Sequence, residues 1–139
     1  MKTVMKRTVD HTPIVRRGFL TMELVLTLPI LALALFALFE FSLLFTARSS
    51  VVEAGRAGAR KATLAGVQRK DVEAEVRSVL KPRLRDSADV KVKLGRHSGD
   101  EVSVSVSVPM QKASPNLLWP IGYSLRGREL ITTTRMTKE

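Results

Sequence analysis

At 139 residues, the chain is long enough for one small domain, but much of its 45% hydrophobic content lies in the first third, so residues 48 to 139 can build only a modest core. The absence of cysteine excludes a disulfide framework, a thiolate metal site and a thiol nucleophile. Of the formal +10 charge, about +4 precedes Phe19, and the remaining Lys and Arg lack interleaved aromatics, so no specific nucleic acid partner is expected; the plainer reading is a solvated face that attracts anionic lipid headgroups.

Residues 1 to 18 form a basic leader with Lys2, Lys6, Arg7, Arg16 and Arg17 against Asp10. The run from Phe19 to Phe45 then holds only two charges, Glu23 and Glu40; as a helix it extends roughly 40 Å against roughly 30 Å of bilayer hydrocarbon. It is too long for the apolar stretch of a signal peptide. The two glutamates lie about 25 Å apart along such a helix, so each is expected near one of the two interfaces. A helical stem continues to residue 65, with Gly66 as a C-terminal cap. In the stem Ala54, Gly58 and Ala62 recur every four residues, a stripe that either packs a further helix or belongs to an unpartnered stalk.

Asp71 is expected to cap a second helix over Val72 to Leu80, with Val72, Val76, Val79 and Leu80 on one face, Glu73, Glu75 and Arg77 on the other, and Pro82 as its stop. The period then falls to two. Val90, Val92 and Leu94 predict one strand and Val102 to Val108 a second, joined by a hairpin at Arg96 to Asp100; Glu129 to Met136 predicts a third. The stretch between the last two, punctuated by Pro115, Pro120 and Gly122, is expected to fold back as a cover on the sheet, with the lone Trp119 in the core and, as the alternative, Trp119 and Tyr123 as an anchor at the membrane surface or a partner. The fold class is α+β: a long transmembrane helix and stem over 19–65, then a small domain over 67–139 with an amphipathic helix on a two- to three-stranded antiparallel sheet.

Gly18-Phe19-Leu20-Thr21-Met22-Glu23, between a basic leader and a membrane-length apolar run, resembles the processing site of type IV prepilins. The resemblance implies cleavage between Gly18 and Phe19 by a prepilin peptidase, with Glu23 the fifth mature residue. A carboxylate at the membrane boundary needs a partner, and the amine released at Phe19 is the obvious one, in the same chain or a neighbour. Pro29 removes an amide from the ladder and is expected to kink the helix. Glu23 to Ala62, with Pro29, Glu40 and the Glu-Ala-Gly-Arg-Ala-Gly-Ala-Arg-Lys-Ala run, further resembles the TadE-like family of tight-adherence (Flp-type) pilus assembly pseudopilins. Leu24 stands where pilins of the Flp branch commonly carry Tyr, which fits a minor subunit.

That resemblance implies a cytoplasmic N-terminus, a single pass through the inner membrane and an outward C-terminal domain. The implied partners are the prepilin peptidase, other pilins and pseudopilins, the inner-membrane assembly platform and membrane lipid. The basic residues do not decide orientation, since Arg48, Arg56, Arg60 and Lys61 follow the span closely. His11 and His97 lack further ligands at metal spacing, and neither a phosphate loop nor a serine elbow occurs, so no catalytic residue, metal or cofactor is expected. The rival reading is an uncleaved single-pass anchor carrying a periplasmic binding module.

Overall fold

The computed structural model describes residues 17–139, with side-chain surroundings from Thr21 onward; most of the basic leader, His11 included, lies outside the described residues. The elements in chain order are α1 (Arg17–Thr63), α2 (Arg69–Val79), α3 (Pro82–Arg85), β1 (Asp89–Lys93), β2 (Glu101–Pro109), α4 (Met110–Ala113), a 3-10 turn (Trp119–Ile121) and β3 (Glu129–Thr137). They fall into two compact units divided between Leu33 and Ala34. Among the described residues the first is the N-terminal part of α1, up to Leu33, with exposed Leu, Ile, Val and Met side chains such as Met22, Leu26 and Ile30. Thr27 folds its hydroxyl back onto the carbonyl of Glu23 at 2.8 Å, so that polar group is satisfied inside the helix.

The second unit is a three-stranded antiparallel sheet in the order β1-β2-β3, as the alternating valines require. Val104 stands opposite Val92 on one side and Thr134 on the other, and Val106 opposite Val90 and Thr132. One sheet face therefore carries Val90, Val92, all four valines of β2, Leu130 and Met136, while the other carries Lys91, Lys93, Ser103, Ser105, Ser107, Thr133 and Arg135. Val102, Val104, Val106 and Val108 have no exposed surface, and each such side chain contributes about 1.5–3 kcal/mol by leaving water.

Two helices cover that valine face. α2 brings Val72, Val76 and Leu80, as its periodicity predicts. The second cover is the C-terminal half of α1, where Val51, Ala54, Ala59 and Ala62 are buried to 1% or less. A Cβ added at Gly58 would collide with Val76 Cγ2 and come within 3.4 Å of Val104 Cγ1, while one at Gly55 would meet Thr134 Oγ1 at 3.3 Å. The small-residue stripe thus has α2 and the sheet of its own chain as neighbours, and the small domain runs back into α1 instead of starting at residue 67.

Four local expectations shift. The first helix ends at Thr63, and Gly66 (φ +76) supplies the left-handed residue in the turn that follows. Asp71 is the third residue of α2 and not its cap: its carboxylate accepts the N–H of the cap residue Gln68 at 3.0 Å, the acidic half of a capping box. Pro82 opens α3, where a missing amide costs nothing, and α2 has already ended at Val79. Arg77 is not part of a solvated face. Its guanidinium donates to the carbonyls of Arg85 (2.7 Å) and Ala88 (3.2 Å), tying α2 to the segment leading into β1.

Gly55→Ala and Gly58→Ala gain the same helix propensity, so their difference isolates the packing. Chemical denaturation should place Gly58→Ala about 1–3 kcal/mol below Gly55→Ala, because stiff Val76 must move only in the former. Equal stabilities would show that α1 does not lie this close to α2.

Candidate functional site

Of the residues singled out in the sequence, Gly18 and Phe19 lie in the first turns of α1; their side chains are outside the described set. Glu23 is exposed, and among the described residues its carboxylate has no hydrogen-bond or ion-pair partner. Pro29 lies within α1 and is exposed. Gly18, Phe19, Glu23 and Pro29 belong to the first unit, whereas Ala54, Gly58 and Ala62 are buried in the second.

Glu40 makes the contacts that the sequence does not announce. It is completely buried within the protein. Its Oε1 accepts the Ser114 hydroxyl at 3.3 Å and its Oε2 accepts the backbone N–H of Leu118 at 3.0 Å; Ser114 is itself fully buried. A carboxylate taken out of water is tolerable only when donors replace the lost water, and the two donors come from the long connection between β2 and β3.

That connection is closed at its base by Met110 N–H donating to Arg128 C=O at 2.9 Å. Asn116 adopts a left-handed conformation (φ 58) and accepts the N–H of Leu125 at 3.1 Å, which folds the segment back on itself. Leu118 and Leu125 are buried, and the Tyr123 ring lies 6.3 Å from that of Phe41, with the Arg128 guanidinium 5.2 Å from its centroid. The connection was expected as a cover on the sheet; its polar anchor and its ring contact are on α1. Trp119, expected in the core, is 68% exposed, and Ile121 beside it is 59% exposed.

One signal for Glu40 was present in the sequence. Glu40, Leu44, Ala47, Val51, Ala54, Gly58 and Ala62 follow one another at steps of three or four, and all seven are buried, so the stripe that covers the sheet begins at the glutamate. His97 sits in the β1–β2 turn, 85% exposed, with Nδ1 3.7 Å from Asp100. The backbone N–H groups of His97 and Arg96, both at 2.9 Å, hold the Asp100 carboxyl below its usual range. Its support of the turn is therefore present above the ordinary carboxylate pKa and fades as pH falls through the lowered value.

The apolar stretch, the exposed Glu23 and the small-residue stem lie on one helix. Residues 18–60 match the family model described as TadE-like protein. The matched segment opens on Gly18 and takes in Glu23, Pro29, Glu40, Ala54 and Gly58, while Ala62 and the sheet lie beyond it. No curated protein and no solved structure matches the chain. The TadE-like match supports involvement in tight-adherence pilus function. α1 supplies, among the described residues, one helix long and apolar enough to cross a membrane.

Removal of the Glu40 carboxylate strands the Leu118 N–H and the Ser114 hydroxyl. Glu40→Ala should cost about 1–3 kcal/mol in thermal or chemical unfolding and speed tryptic cleavage at Arg126 and Arg128. Glu40→Gln, which can still accept from Leu118 and donate to Ser114 Oγ, should lie much closer to the parent protein. If Glu40→Ala matched the parent in both assays, the anchoring role would be lost.

Proposed function

We propose that this chain is a TadE-like pseudopilin or minor pilin that takes part in assembling a tight-adherence (Flp, type IVb-like) pilus. The observation that carries the proposal is the TadE-like match, which starts at Gly18, the residue before the expected cut, and runs through the apolar helix into the stem. Cleavage by a prepilin peptidase between Gly18 and Phe19 leaves Phe19 as the mature N-terminus. Glu23, exposed and unpaired among the described residues, is then free to meet the terminal amine of a neighbouring subunit, a pairing that lowers the cost of keeping either charge at the membrane boundary.

In this reading α1 enters the inner membrane with its N-terminus cytoplasmic, Pro29 bends the spanning part, and the domain built on its C-terminal half faces outward. Residues 21–39 offer apolar side chains for packing against other pilins, since the stem stripe is already occupied. The role is assembly and adhesion, with the assembly platform as partner, and needs no catalytic residue.

Intact mass and N-terminal sequence, taken from membranes of hosts with and without the matching peptidase, test the processing step. The expected result is a start at Phe19 only where the peptidase is present, and a sharp loss of pilus output for Glu23→Ala. A leader retained in both hosts would leave an uncleaved anchor for an outward binding module and set the pilin assignment aside.

A further inference from the structure

We propose that the Trp119-Pro120-Ile121 tip of the β2–β3 connection is a second membrane contact, seated in the headgroup region of an anionic bilayer. The proposal rests on α1 being the membrane anchor. The tip is joined directly to the anchor helix, because Leu118, the residue before Trp119, donates its N–H to Glu40. Around Glu40 the exposed surface of α1 is apolar apart from Ser42: Leu38 is 69% exposed, Phe39 56%, Phe41 54% and Phe45 74%. Beyond Phe45 the exposed positions become Thr46, Arg48, Ser49 and Glu53. Glu40 thus lies about 12 Å along the helix below Arg48, close to where hydrocarbon gives way to headgroups.

At that level the connection exposes a Trp and an Ile, the first being a residue type that favours the interface because its ring is apolar and its indole N–H is polar. Its charge points the same way. Between Met110 and Arg128 the chain carries Lys112, Arg126 and Arg128 and no acidic residue, so the apolar tip is flanked by cations alone. Each such cation is drawn to an anionic surface. Buried Leu118 and Leu125 and the Glu40 anchor hold the segment in shape without calling on Trp119 or Ile121, which leaves both for the lipid.

Trp119 is the only tryptophan of the chain, so its fluorescence reports this site alone. The full chain is reconstituted into phosphatidylglycerol-containing vesicles whose acyl chains are brominated either near the headgroup or near the terminal methyl. Flotation is scored first. The expected result is that the protein floats and that shallow bromines remove most of the Trp119 emission while deep bromines remove little. Flotation without quenching by either lipid would overturn the proposal alone and leave Trp119 to a protein partner. Failure to float would overturn the membrane reading together with it. Equal quenching in purely neutral vesicles would overturn the part assigned to Lys112, Arg126 and Arg128.

Discussion

The close approach of α1 to the valine face of the sheet is the constraint on which the second unit depends. Three strands with four valines on the central one cannot hide that face by themselves, and α2, at 11 residues, covers only part of it. α1 completes the cover, and it can do so only because its facing positions are small. At Gly58 a single methyl group would already run into Val76. Ala54, Gly55, Gly58, Ala59 and Ala62 are therefore part of a hydrophobic core assembled on the helix that also carries the apolar run.

The glutamate at the start of this stripe gives the seam a polar end. An aliphatic residue at position 40 would continue the packing but leave the Ser114 hydroxyl and the Leu118 N–H without these partners. The carboxylate satisfies both and so specifies where the β2–β3 connection sits on α1. From that anchor follow the burial of Leu118, the tilted contact of Tyr123 with Phe41 and the exposure of Trp119 and Ile121. The domain thus has α1 as part of its own core.

Strand positions were legible because the signal is local: valine at every second residue reports a half-buried strand whatever else the protein does, and β3 ends within one residue of its expected limit. The face of α2 was legible for the same reason. What the small-residue stripe would meet was not, since the same stripe suits a helix of another chain, a helix of its own or a sheet. The burial of Glu40 was not legible, because its two donors lie 74 and 78 residues further on. Asp71 was displaced because an acid at the third position of a capping box and an acid at the cap announce a helix start equally well. Trp119 was misplaced because average burial by residue type does not decide where a single residue sits, and Leu118 and Leu125 fill the buried positions of the connection.

The central claim, that the small domain is built on α1, is tested most directly by comparing two fragments, residues 46–139 and residues 67–139, by two-dimensional amide NMR. If the C-terminal half of α1 is a core element, the longer fragment gives dispersed strand resonances that survive in hydrogen exchange, and the shorter one collapses to the narrow spectrum of an unfolded or molten chain. A shorter fragment with the same dispersed, protected valine amides in β2 would contradict the account and return α1 to the role of a simple tether.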